Sequence, residues 1–182
     1  MWAAVTVAAT LVLGVGLYWF QPWKLWQDAT VHESLPAASP STAAPGPTRS
    51  PTTPATATAP SAPAGPQTLA QGTLISHEHT TTGTAKIIRL PDGSRTLRLE
   101  NLDTSNGPDL RVWLTDAPVK EGEAGWSVFD DGKYVSLGKL KGNKGDQNYE
   151  IPTDVNLADY GSVTIWCDRF DVSFGAAALA TV

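Results

Sequence analysis

The chain has 182 residues, one cysteine and a formal net charge of −5, a size that holds one globular domain with appendages. Residues 1–66 contain two basic and two acidic side chains, so residues 67–182 carry the whole acidic excess. This part lacks the basic surface that phosphate contacts need, and nucleic acid is therefore not an expected partner. A single cysteine excludes an internal disulfide, a site with four cysteine ligands and the Cys-x-x-Cys-His haem motif.

The N-terminal segment is apolar. Residues Trp2–Phe20 form an uncharged run of 19 residues, about the length that crosses the hydrocarbon core of a bilayer as a helix. Aromatic side chains lie at both of its ends, as at a membrane interface, and Pro22 is expected to end the helix. We predict that residues 1–27 form a transmembrane anchor with a membrane-proximal segment. A cleaved signal peptide is the alternative, but the basic n-region is missing and no small-x-small site directly follows the apolar run.

The next segment is rich in proline. Residues 36–66 contain nine prolines and no apolar residue larger than alanine, a composition that predicts disorder. We therefore predict a disordered Pro/Ala/Thr-rich linker over residues 28–66. Such tracts resemble cell-surface stalks, which favours a single-pass protein of the cell membrane with its folded domain outside the cytoplasm. Lys24 alone indicates the opposite orientation by the positive-inside rule.

Residues 67–182 are predicted to form an all-β domain, a single antiparallel β-sandwich or barrel-like fold. Pro91-Asp92-Gly93-Ser94 is expected to form a hairpin turn, and residues 154–160 a single helical turn with Asp154 as its N-cap. Asp146, Gln147 and Asn148 are expected to cap backbone groups in a long loop. Short runs of period-two patterning indicate strands at 84–90, 96–102, 110–115, 134–137 and 162–174.

Cys167 lies in the longest of these runs. The alternation slips by one near residues 168–169, which indicates either a β-bulge or an interior strand that is buried on both faces. From the residues alone, Cys167 is either a redox thiol or iron ligand, or a small buried hydrophobe. Arg169 would share the face of Cys167 and could favour its thiolate form.

The other candidate ligands are histidines. His77 and His79 would project from the same face of a strand, as weak metal-ligand candidates or with one as an axial haem ligand. The alternative is a pair of surface histidines near a turn. No nucleophile elbow and no phosphate-binding glycine loop occurs, so a hydrolase is not expected.

Residues from about 72 to 179 resemble the DM-thirteen domain family, a DOMON-associated group described as electron-transfer modules. The resemblance depends on blocks at 72–74, 83–85, 106–114, 137–142, 145–149 and 165–170. It implies an all-β domain outside the membrane and redox chemistry centred on the family's cysteine, which is Cys167 here. That cysteine would act as a bare thiol or help to hold a prosthetic group such as haem. His79 and Asp109 match further positions of the pattern and are weaker site candidates.

The main hypothesis is a membrane-tethered electron-transfer module that exchanges electrons with a redox protein partner and does not turn over a substrate. Its site residues would be Cys167, Arg169, His79 and Asp109, with haem or no cofactor. The alternative is a non-catalytic surface module on a stalk that binds a glycan, a protein or a metal ion.

Overall fold

An apolar helix precedes the folded domain. The structure, a computed structural model, describes residues 2–36 and 65–182. Helix α1 spans Trp2–Phe20, contains no buried residue and is followed by a 3₁₀ helix at Pro22–Trp26. Gln21 adopts a left-handed conformation between the two, and Pro22 begins the 3₁₀ turn. Helix α1 is long and apolar enough to cross a membrane, although a signal sequence would have the same properties.

The described part of the domain consists of β-strands with two short 3₁₀ helices, at Glu123–Gly125 and Leu157–Asp159. Their bounds are β1 (Thr30–His32), β2 (Gln67–Thr73), β3 (Ile75–Ser76), β4 (Thr82–Arg89), β5 (Arg95–Asp103), β6 (Leu110–Thr115), β7 (Tyr134–Lys139), β8 (Lys144–Ile151), β9 (Ser162–Cys167), β10 (Val172–Ala178) and β11 (Ala180–Thr181). The first sheet has the order β1-β8-β5-β4-β2-β11, and the second has the order β3-β10-β9-β6-β7. All pairings are antiparallel except that of β1 with β8. The prediction of an all-β sandwich is confirmed.

The core lies between the two sheets. Strand β5 contributes Leu97 and Leu99 from the first sheet, and β6 contributes Val112 and Leu114 from the second. The period-two alternation predicted these inward positions because successive side chains of a strand point to opposite faces.

Strand β9 is buried on both faces. Its inner residues, including Cys167, belong to the core between the sheets, whereas Trp166 packs in a second cluster with Trp113 and Phe129. The expected interior strand is therefore confirmed. The alternative, a β-bulge near residues 168–169, is not formed, because these residues lie in the hairpin turn that joins β9 to β10. The register shift in this pair of strands lies between Ser173 and Gly175.

Two turn predictions have different outcomes. The hairpin between β4 and β5 is confirmed, and Asp92 Oδ1 accepts a hydrogen bond from the Ser94 N–H at 2.9 Å. The helical turn is a 3₁₀ helix at Leu157–Asp159. Its N-cap is Asn156 rather than Asp154, because the Asn156 side chain accepts a hydrogen bond from the Ala158 N–H.

Strand β8 replaces part of a predicted loop. This strand was not predicted because most of its side chains are polar, and strands were predicted from alternating apolar residues. Gln147 is fully buried, and its Oε1 accepts hydrogen bonds from the Lys141 N–H at 3.1 Å and the Tyr149 hydroxyl at 2.7 Å. The expected capping of backbone groups is thus present at Gln147, but within a strand.

The first sheet begins earlier in the chain than the composition indicated. Residues Thr30–His32 pair in parallel with residues 144–146 of β8, inside the linker predicted at 28–66. The structure therefore differs from that prediction at its N-terminal end. Residues 37–64 of the predicted linker lie outside the described residues.

Candidate functional site

Cys167 is the last residue of β9. It lies opposite Val172 of β10 and Leu110 of β6, and its side chain is 0% exposed. The thiol therefore belongs to the core, where a free cysteine behaves as a small hydrophobe. A reagent or partner can reach the sulfur atom only if part of the surrounding structure moves.

Burial and the neighbouring groups shift the pKa of the Cys167 thiol in opposite directions. Burial is the largest effect and raises the pKa of the thiol, because the charged form loses its hydration. The backbone N–H groups of Arg169, Phe170 and Asp109 lower the pKa, and the negative charge of Glu78 raises it further. The net effect is a raised pKa, which favours the protonated thiol.

Three loops meet beside this cysteine, and we call them the Cys167 loops: residues 77–81, 104–109 and 168–171. The Asp168 N–H donates to the Asp109 carbonyl oxygen at 3.0 Å. The Thr81 hydroxyl donates to the Phe174 carbonyl oxygen at 2.9 Å and lies 2.7 Å from the Thr104 hydroxyl. These bonds fix the loops around the end of β9.

Arg169 directs its side chain away from the sulfur atom. Its guanidinium donates to the carbonyl oxygens of Trp19 at 2.6 Å and Tyr18 at 3.4 Å, and it lies 5.3 Å from the centre of the Trp19 ring. The side chain that was expected to favour the thiolate instead bonds the end of α1.

His79 lies among the Cys167 loops. Its ring packs against Phe174 with 3.9 Å between ring centres, and its Nε2 atom lies 3.7 Å from Glu78 Oε2. Glu78 was not a sequence candidate. No local signal identifies it, because only the fold brings its charge close enough to act on the thiol of Cys167.

His77 does not share the surroundings of His79. It is buried, its Nδ1 lies 2.7 Å from the Ser173 hydroxyl, and its Nε2 lies 3.0 Å from the Lys120 carbonyl oxygen. Burial lowers the pKa of this imidazole. The expected pairing of two histidines on one face is therefore not formed, because residues 77–79 lie in a bend. Within residues 2–36 and 65–182, no group of three or more His, Cys, Asp or Glu side chains could hold a metal ion.

Asp109 contributes its backbone to the surroundings of Cys167 and its carboxylate to a group of half-buried ion pairs. The carboxylate lies 3.4 Å from the Arg111 guanidinium and 3.6 Å from the Lys139 ammonium. Arg111 also pairs with Asp168 at 2.9 Å. These ion pairs tie the loop at 104–109 to the β9–β10 turn from outside.

A cavity of about 340 Å³ lies between the end of α1 and the Cys167 loops. Its walls include Phe20, His79, Phe170 and Phe174, but not Cys167. A haem ligated by the Cys167 sulfur does not fit this arrangement, because the thiol is enclosed in the core and the His79 ring is packed against Phe174. The arrangement fits a bare thiol.

The family model described as "Electron transfer DM13" matches residues 73–179, which is more than half of the chain. The match includes Cys167 and all three Cys167 loops. A comparison with curated proteins finds no match, and neither does a comparison with solved structures. Over this region, the chain belongs to the DM13 electron-transfer family.

Proposed function

We propose that this protein is an electron-transfer module at the outer surface of a membrane, anchored by α1, with Cys167 as its redox centre. The DM13 match supports the class of function, and the apolar α1 supports the anchor. The observation that carries the choice of Cys167 is its place at the end of β9, where the Cys167 loops, all within the DM13 match, meet around it.

The proposed step is a one-electron oxidation of the thiol. The electron leaves to a redox partner with a one-electron centre, and the S–H bond breaks to leave a thiyl radical. The proton passes to the carboxylate of Glu78 or to His79 beside it, which lie 3.7 Å from each other. The return of one electron and one proton restores the thiol, so that no substrate is consumed.

The direct test uses the full chain in detergent and two variants, Cys167→Ala and Cys167→Ser. Hexachloroiridate(IV), a strong one-electron oxidant, serves as the acceptor, and a radical signal is sought by electron paramagnetic resonance after rapid freezing. We expect the wild type to reduce the acceptor faster than both variants and to form a sulfur-centred radical that they lack. The proposal fails if Cys167→Ala reduces the acceptor as fast as the wild type. A visible spectrum after expression with haem supplied tests the cofactor, and we expect no haem band that depends on Cys167.

A second candidate is a non-catalytic binding module for a glycan, protein or metal ion. The complete burial of Cys167 favours it, because burial protects a thiol from partners. In that case Cys167→Ala would leave every redox readout unchanged, and the thiol would remain unreactive under all native conditions.

A further inference from the structure

Strand β1 occupies the edge of β8. Residues 30, 31 and 32 pair with residues 144, 145 and 146. The Lys144 N–H donates to the Ala29 carbonyl oxygen at 3.2 Å, and the Glu33 N–H donates to the Asp146 carbonyl oxygen at 2.9 Å. The addition of an extended segment to a sheet edge is a recurrent mode of peptide recognition, in which main-chain bonds supply the affinity.

Buried and charged side chains of the domain form hydrogen bonds with residues 29–33. Asn143 is 1% exposed, and its Oδ1 accepts a hydrogen bond from the Ala29 N–H at 2.7 Å. The Glu33 carboxylate accepts from the Lys141 ammonium at 2.8 Å and from the Asn148 N–H at 2.7 Å. Without residues 28–34, the side-chain oxygen of Asn143 would lose this hydrogen bond.

Two glycines make room for the segment. Gly145 has φ +95°, a conformation that favours glycine, and a Cβ there would collide with the Val31 carbonyl oxygen. A Cβ at Gly142 would collide with the Ala29 carbonyl oxygen. The edge of β8 is thus shaped to the backbone of β1.

The chain between α1 and β1 also contacts the Cys167 loops. Asn106 Nδ2 donates to the Gln27 carbonyl oxygen at 3.0 Å, and the Lys24 ammonium donates to the Pro108 carbonyl oxygen at 3.3 Å. With the bond from Arg169 to Trp19, the end of α1 is attached to the same end of the sandwich as Cys167.

This topology changes the role expected of the proline-rich stretch. Strands β1 and β2 occupy the first and fifth positions of one sheet. Residues 37–64 connect them, so that the stretch begins and ends on the folded domain. The domain is therefore not separated from α1 by that stretch.

We propose that residues 28–34, which we call the locking segment, fix the domain directly on α1 with the Cys167 loops facing the membrane. Its electron partner is then one that presents its redox centre at the membrane surface. The orientation and the partner depend on the membrane attachment proposed above, whereas the locking segment itself does not. The DM13 match begins at residue 73, so the locking segment lies outside the family region.

The attachment of the locking segment to the domain is tested by cleaving the chain within residues 37–64, which connect the two. A site-specific protease sequence replaces residues 48–54 of the full chain, which carries an N-terminal affinity tag and is purified in detergent. After complete cleavage, verified on a denaturing gel, the C-terminal fragment is expected to remain bound to the tagged fragment through size exclusion and to separate in urea. Separation under native conditions would overturn the lock.

Glu33→Gln and the matched control Glu121→Gln sharpen this test. Glu33 accepts the bonds described above, whereas the control position is exposed on a loop. We expect dissociation of the cut Glu33→Gln protein to be at least 10-fold faster than that of the wild type, with Glu121→Gln unchanged. Equal rates for all three proteins would contradict the assigned role of Glu33.

The orientation is tested in vesicles of phosphatidylcholine with nitroxide-labelled headgroups. In a Cys167→Ala background, bimane is attached at Ser105→Cys, in a Cys167 loop, or at Thr153→Cys, at the other end of the sandwich. Flotation of the uncut chain first establishes attachment, and failure to float refutes the membrane anchor but not the lock. In vesicles that carry the protein, we expect the label at 105 to be quenched at least threefold more than that at 153. Equal quenching would overturn the orientation.

Discussion

The Arg169 guanidinium lies 2.6 Å from the carbonyl oxygen of Trp19, so the residue two positions after Cys167 caps the end of α1. The last carbonyl groups of a helix have no partner within the helix, and a cation there is favourable. This bond joins the β9–β10 turn to the apolar helix. It also keeps the guanidinium away from the thiol that it was expected to influence.

We predict that Arg169→Gln loosens the end of α1 and leaves the thiol protected. Hydrogen exchange is expected to accelerate for the amides of residues 19–24, because their attachment to the domain is weakened. The reaction rate of Cys167 with a thiol reagent is expected to stay within a factor of about two, since the backbone N–H of residue 169 is retained. A large change in the thiol rate alone would instead support a direct effect of the guanidinium.

Native Cys167 should resist modification. Because the sulfur is fully buried, a disulfide reagent can attack only through local opening, and we expect protection of roughly 100-fold or more relative to the unfolded chain. The control is Ser105→Cys in the Cys167→Ala background, whose thiol is half-buried on a loop and should react faster. Reaction of native Cys167 at the rate of the unfolded chain would show that the Cys167 loops open freely.

Gly145→Ala and Gly138→Ala separate two effects of an added methyl group. Both glycines have positive φ, so each substitution should cost about 1–2 kcal/mol of unfolding free energy from backbone strain. Only the methyl group at 145 meets β1, whereas nothing lies within 4 Å of the one at 138. After cleavage of the 37–64 connection, we expect faster release of the N-terminal fragment from Gly145→Ala alone. Equal release from both variants would show that β1 does not need this space.

Acid should weaken the locking segment. The Lys141 ammonium, followed by the Asn148 N–H and the charge of Arg98, lowers the pKa of Glu33 in the folded protein. The ionised form is therefore favoured by docking, and its contribution is complete above the unfolded pKa and is lost as pH falls through the folded pKa. After cleavage, we expect the retained fraction to fall between about pH 5 and pH 3.

Two variants identify the group that titrates. Glu33→Gln should show a shallower fall, and the Asp28 carboxylate accounts for the remainder, because Asn143 and Lys144 lower its pKa as well. Glu121→Gln should behave like the wild type. An unchanged pH profile in Glu33→Gln would exclude that carboxylate as the origin.

The class of fold and the inward faces of β5 and β6 could be predicted from the sequence. In these two strands the core side chains recur at every second position, and this period is a local property of the chain. The β4–β5 hairpin was also predictable, because Asp92 and Gly93 have the turn chemistry that two adjacent strands need. The residues of the DM13 pattern identified the family.

The contacts that these residues make depend on the tertiary structure. Strand β8 could not be predicted because the buried polar side chain of Gln147 finds its hydrogen-bond partners only in the folded protein. Strand β1 could not be predicted because three residues are too few to show an alternating pattern. The burial of Cys167, the proximity of Glu78 and the contact of Arg169 with Trp19 all join residues that are far apart in the chain. Local sequence does not encode such contacts, because they depend on which strand edges and loops the sandwich brings together.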